Sequence, residues 1–267
     1  QYPEQSDLAL ERKLEEKYGL TEALIAVPAY EQSSDQEVAF QAVDYILRVL
    51  KKNMVFGMTW GRAMHEFVEQ LAKDERLRSL SFQNVKVVPF LGTPGAIQSD
   101  SWNTTTYSNT LATKVGNLLH CASYNLSAPM YVEGTKEKEL IESIDEIAKV
   151  LHMAETADIA LIGIGSMQDD SSIIKAEIRT REEYKELVRK GAVGEIVGRI
   201  YDKNGQTVDE DLKRKMVGIS LDKIAKIPVR VGMSYGKDKI EAIKGAIAGG
   251  LVNVLVTDVP TAELLLK

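Results

Sequence analysis

Short apolar runs alternate with longer amphipathic stretches along almost the whole chain. Leu10, Leu14 and Tyr18 recur every four residues, which predicts a helix from Leu8 to Tyr18 that Gly19 ends in left-handed backbone. Glu22 to Val27 reads as a strand, and Asp35 is placed to cap a helix with apolar face Val38, Ala39, Ala42, Val43, Ile46 and Leu50. Met54 to Phe56 reads as a short strand that enters a glycine loop and then a helix from Arg62. The alternation goes on through a strand at Val85 to Phe90, a long polar loop and a helix around Asn109 to Leu119. Then come a strand at Met130 to Val132, a helix over Lys136 to Leu151 and a buried strand at Asp158 to Gly163. Thr180 and Glu183 form a capping box ahead of a helix at Glu182 to Lys190. Glu195 to Tyr201 reads as one strand ending at the hairpin-type turn Asn204-Gly205. Strands at Val229 to Met233 and Val252 to Thr257 flank a helix over Lys239 to Ala248, and a last helix starts near Thr261.

Strands separated by helices imply βαβ units, so the expected class is α/β: a mostly parallel, doubly wound, Rossmann-like sheet in one domain. The Asn-Gly turn adds a small antiparallel excursion. With 267 residues, 44% of them hydrophobic, the chain is long enough for a large core and too apolar for disorder. A lone cysteine, Cys121, excludes an intrachain disulfide and suits a reducing cytoplasm, the expected location. The apolar runs are far shorter than the ~20 residues of a membrane helix, and no membrane partner is expected. Thirty-three Lys and Arg against 39 Asp and Glu give a net charge of −6, which argues against nucleic acid as a partner of these residues. The chain opens at Gln1 with no methionine and no processing site, and so reads as a fragment.

Ligands of open parallel sheets bind beyond the carboxyl ends of the strands, which directs attention to the loops there. In Gly57-Met58-Thr59-Trp60-Gly61-Arg62 the glycines admit a close ligand and the helix start offers unpaired N–H groups. Thr59 and Arg62 add donors, a set suited to phosphate. A bare tight turn fits the same residues, and Trp60 either stacks on a sugar or packs. The loop also mimics a Gly-x-Ser-x-Gly nucleophile elbow with threonine in the serine position, but His65, His120 and His152 are the only histidines to act as base. The loop from Gly92 and Thr93 through Gly95 and Ser99 to Thr106 is rich in hydroxyls that suit sugar and equally suit an exposed loop. Gly163-Ile164-Gly165-Ser166-Met167-Gln168 begins like a dinucleotide fingerprint but has Gln168 at the third glycine, so no nicotinamide cofactor is expected. Ser234-Tyr235-Gly236-Lys237-Asp238-Lys239 places lysines at a helix start, favourable only beside an anion. His120-Cys121 reads as part of a buried helix face, and Asp169-Asp170 as a solvated loop or a cation site; no metal is expected.

Taken in order, six segments resemble the sugar-binding domain of SorC-type transcriptional regulators. They are Gly57-Met58-Thr59-Trp60-Gly61, Asn109-Thr110-Leu111-Ala112, the run from Ala157 to Ser166, Gly191-Ala192-Val193-Gly194-Glu195-Ile196, Val217-Gly218-Ile219-Ser220-Leu221 and the run from Gly250 to Asp258. The resemblance spans nearly the whole chain. It implies the fold of sugar-phosphate isomerases and glucosamine-phosphate deaminases without their catalysis, no cofactor, and a phosphorylated sugar or polyol as effector. It implies an N-terminal helix-turn-helix that binds operator DNA, with residues 1–20 as the linker helix, 21–267 as the effector domain, and a homodimer or tetramer. Gly57 to Arg62 then becomes the phosphate loop, with Gly92 and Thr93 near the phosphate. Asn109, Gly163, Gly165, Ser166 and Gly236 join the ligand-binding set, Glu195 and Lys239 contact the sugar, and Asp258 belongs to a Thr-Asp pair at the last strand end. Two departures lie at this pocket: Ser234-Tyr235-Gly236 stands where a double glycine is common, and Val259 where an acidic residue is common. The alternative is an active sugar-phosphate isomerase or deaminase, with Glu195 or Asp258 as acid or base.

Overall fold

The computed structural model describes residues 7–27, 34–94, 104–168 and 171–267; Gly95 and Ser99 of the polar loop, the Asp169-Asp170 pair and the opening Gln1 to Gln5 lie outside them. In chain order the strands are β1 (Glu22–Ala26), β2 (Val55–Met58), β3 (Lys86–Pro89), β4 (Ala122–Ser123), β5 (Ile159–Gly163), β6 (Gly165–Ser166), β7 (Ala192–Ile196), β8 (Arg199–Asp202), β9 (Val229–Met233) and β10 (Val254–Asp258). Seven of them form one parallel sheet in the order β1-β10-β9-β5-β2-β3-β4, while β6, β7 and β8 form a small antiparallel sheet. The expected α/β class and its antiparallel excursion are both present.

Both faces of the parallel sheet are covered, which is why β5 and β10 read as nearly continuous apolar runs. Helices Ser34–Val49, Arg62–Leu71 and Ser108–Leu118 bury Phe56, Met58, Phe67 and Leu111 on one face. Helices Leu8–Tyr18, Asp145–Glu155, Ile240–Ala248 and Val259–Leu266 pack on the other with the small sheet. The edge strand β1 does not present a bare row of donors. Its Ala23 and Ile25 N–H groups donate to the carboxylates of Glu15 and Glu11, each at 3.0 Å, so the first helix seals the edge. The far end of that helix is tied to the last one, since the Tyr18 hydroxyl and the Lys17 ammonium both donate to the Leu265 carbonyl, at 2.5 and 2.9 Å. Among the described residues no helix is long and apolar enough to cross a membrane.

Several expected elements shift for local reasons. The first helix runs Leu8–Tyr18 with Gly19 in left-handed backbone, and the Thr180–Glu183 capping box forms ahead of helix Arg181–Arg189. The stretch read as one helix over Lys136 to Leu151 is two, Thr135–Glu142 and Asp145–Glu155. Ile144 takes extended backbone between them, which lets the second helix turn Ile147, Val150 and Ala154 inward while Leu140 stays exposed. Glu195 to Tyr201 is a hairpin and not one strand: Val197 and Gly198 turn the chain at φ +55° and +68°. A β-branched residue is the least expected occupant of such a turn, which hid it. In place of a strand at Met130 to Val132 the chain makes isolated bridges, Tyr131 with Met216 and the preceding Pro129 with Thr93. Asp35 sits inside the first turn of its helix and not at the cap. His120 is exposed in the turn after helix Ser108–Leu118, and so is not on a buried helix face.

Candidate functional site

From β2 the chain winds outward to β3 and β4, then returns to lay β5 on the opposite side of β2. The crossover helices leave β2 and β5 in opposite directions, which opens a crevice at the carboxyl ends of the two strands. A cavity of about 400 Å³ lies there, lined by the segments after β2 (Trp60 to Ala63), β5 (Gly163 to Ser166) and β9 (Ser234 to Gly236, Asp238 and Lys239). Ser171 and Lys175 complete its mouth, and Glu195 reaches in from β7. The volume suits a small, polar, concave-bound ligand.

Part of the cavity lining is electropositive. Gly61 is the N-cap of helix Arg62–Leu71 at φ +107° and supplies no side-chain cap, so the N–H groups of the first turn face outward without an intrahelical partner. Arg62 and Lys175 make no ion pair or side-chain hydrogen bond among the described residues. Lys239 is partly committed. Its ammonium donates to the Ser166 hydroxyl at 3.1 Å and lies 3.8 Å from Asp238, to which Ser166 donates at 2.9 Å.

Another part of the lining is built around Glu195, which is buried. The tight Val197-Gly198 turn brings the Gly198 N–H onto its carboxylate, and the buried Trp60 donates a second hydrogen bond. Burial raises the Glu195 carboxyl above the usual range, and the Gly198 N–H, the Lys239 charge and Trp60 only partly offset that. A group in this condition exchanges hydrogen bonds with a hydroxyl more readily than it binds an anion. Gly165 makes room for it, since a Cβ there would lie 2.9 Å from Glu195 Oε2. Trp60 packs and holds Glu195; its ring is nearly enclosed.

The remaining candidates stand around the cavity. Gly57 is inside β2, under the Phe90 ring. The fully buried Thr59 accepts from the Gly163 N–H at 3.0 Å and so pins the ends of β2 and β5 together. Gly92 packs against the carbonyls of Ala128 and Pro129. Asn109 donates to Thr93 Oγ1 at 2.9 Å and to the Leu126 carbonyl at 3.0 Å while accepting from the Leu126 N–H at 2.9 Å, so its amide knits loops together. Asp258 caps the last helix by accepting from the Thr261 N–H at 2.9 Å; Thr261 Oγ1 in turn accepts from the Gly236 N–H at 2.8 Å and anchors the cavity loop. Ser171 and Lys175 line the cavity and were not singled out from the sequence, while Tyr235 and Asp238 line it from the lysine loop that was.

A larger groove of about 740 Å³ runs between residues 124–127 and helix Asp145–Glu155. Its lining is mainly apolar, lies away from the carboxyl ends of the central strands, and gathers no comparable set of donors. Among the described residues no group of three or more His, Cys, Asp or Glu is placed to hold a metal.

The family model of a sugar-binding domain matches residues 2–267. The chain is 30% identical to the sorbitol operon regulator of Klebsiella pneumoniae over 270 residues, covering all of this chain and 82% of that protein. It is 26% identical to the deoxyribonucleoside regulator of Bacillus subtilis, covering 97% of this chain and 80% of the other. The full-length structure of the Klebsiella regulator, SorC, superposes with a TM-score of 0.86 at 29% identity, over all of this chain and 82% of that one. These relatives are named as transcriptional regulators and not as enzymes, so the alternative of an active isomerase or deaminase gives way.

Proposed function

The chain belongs to the sugar-binding domain family of SorC-type transcriptional regulators, and from that premise we propose that its effector is a phosphorylated sugar or polyol held in the 400 Å³ crevice. The observation that carries the reading is one cavity lining that joins an uncapped helix N-terminus and two cations unpaired among the described residues, Arg62 and Lys175, with the hydroxyl-binding groups Glu195, Ser166 and Lys239. A phosphate placed against the first-turn N–H groups answers the helix dipole and both cations. Glu195, Ser166 and Lys239 then meet hydroxyls of the carbon chain. Residues 1–20 serve as the linker from a helix-turn-helix that binds operator DNA, 21–267 as the effector domain, and the working unit is a homodimer or tetramer. Ligand changes operator affinity only by its differential binding to two arrangements of subunits, which is a population shift.

The test is a thermal-shift panel of pentose, hexose and polyol monophosphates, each beside its dephosphorylated form. A ligand at 100 times its Kd stabilises by about 2.7 kcal/mol. One or more phosphorylated members are expected to raise the melting temperature by several degrees while their free forms do not. Equal stabilisation by a free sugar and its phosphate would count against the reading.

A further inference from the structure

Tyr235 lines the cavity and extends away from it to helix Ser34–Val49, where its hydroxyl donates to Asp35. Arg62 and Glu66 are the other charges that act on the phenol, and helices Ser34–Val49 and Arg62–Leu71, whose first turns hold Asp35 and Arg62, pack together on one face of the sheet, so Asp35 and Glu66 are the carboxylates grouped with Arg62 around Tyr235. Arg62 pairs with neither among the described residues. Glu66 is four residues further along the same helix, with arginine first, which is the weaker order for a helical ion pair. Asp35 comes from a different helix and has no such handicap; what occupies it is the Tyr235 hydroxyl.

We propose that Tyr235 is a positioning residue for anion binding: its hydroxyl holds the Asp35 carboxylate away from Arg62, and its ring walls the cavity off from that negative charge. The inference deepens the reading of the crevice as a phosphate site and rests on it. In its absence Asp35 becomes an internal competitor for the arginine that the ligand needs. Arginine is suited to either partner, because its planar fork matches carboxylate and phosphate alike. The competing pair would join an exposed guanidinium to a half-buried carboxylate, so its effect is bounded: a pair of ~0.2–1 kcal/mol weakens an anion up to about fivefold.

The experiment is a double-mutant cycle read by calorimetric titration with inorganic phosphate. Tyr235→Phe keeps the ring and removes the hydroxyl, and is expected to weaken phosphate about two- to fivefold. Asp35→Asn is expected to bind at least as tightly as the parent, and Tyr235→Phe combined with Asp35→Asn to return to the parent value. An unchanged Tyr235→Phe, or a double variant as weak as the single one, overturns the proposal. The side-chain Nε–H resonance of Arg62 reads the same competition without ligand. It should become protected in Tyr235→Phe and lose that protection in the double variant. If the parent chain takes up no phosphate, the phosphate reading fails, and the Arg62 resonance still decides whether Tyr235 restrains Asp35.

Discussion

Gly57→Ala is expected to destabilise the fold by about 2–3 kcal/mol, enough to lower the melting temperature of a chain this size by roughly 5–10 °C. The reason is geometric. A Cβ on Gly57 would lie 2.0 and 2.1 Å from two ring carbons of Phe90, less than two-thirds of a normal carbon contact. Phe90 is fully buried and cannot swing aside. The backbone cannot yield either, because β2 is bonded to β3 on one side and β5 on the other, and the Phe90 N–H itself donates to the Met58 carbonyl at 3.0 Å. The gain from restricting the unfolded chain, about 0.4–1 kcal/mol, is too small to compensate. Thermal unfolding measures the loss, and adding Phe90→Leu should recover part of it by removing the clash. A melting temperature unchanged by Gly57→Ala would contradict the packing of Gly57 against Phe90.

Removing Arg62 and Lys175 should cost the ligand most of its affinity while sparing the fold. A hydrogen bond to a charged group contributes about 1.5–3 kcal/mol, so Arg62→Ala is expected to weaken a phosphorylated ligand roughly 10- to 150-fold. Addition of Lys175→Ala should weaken it further but short of abolition, because the N–H groups of helix Arg62–Leu71 remain. A dephosphorylated counterpart should change by no more than about twofold, since it lacks the charge these cations answer. Isothermal calorimetry with the matched pair separates the outcomes. Equal losses for both forms would show that these cations do not select the phosphate. Neither residue is buried or engaged in the core, so stability should stay within about 0.5 kcal/mol of the parent.

The fold was legible wherever local chemistry and periodicity agreed. Leu10, Leu14 and Tyr18 with Gly19, and the Thr180–Glu183 box, mark elements whose ends the chain itself specifies. The hairpin at Val197-Gly198 was not, because tertiary packing holds a valine in left-handed backbone against its own preference. The break at Ile144 escaped for a similar reason: both halves have helical composition, and the core decides where the axis turns.

The site was legible in part for a different reason. Sequence identifies donors and acceptors but not their direction. Arg62, Ser166, Glu195 and Lys239 belong to loops and strands that end at the crevice, and they line it. Thr59 and Asn109 have the same polar character, yet their hydrogen bonds go to the Gly163 N–H and to the Leu126 backbone. Lys175 lies in a four-residue helix with no motif around it, and only the fold brings it to the cavity mouth.

The most direct measurement is amide chemical-shift mapping of the isotopically labelled protein during titration with the sugar phosphate that best raises its melting temperature. The largest changes are expected at Arg62 to Met64, Gly163 to Ser166 and Ser234 to Lys239, with the groove at Asp145 to Met153 silent. Changes concentrated in that groove, with the first turn of helix Arg62–Leu71 unmoved, would contradict a binding site in the crevice.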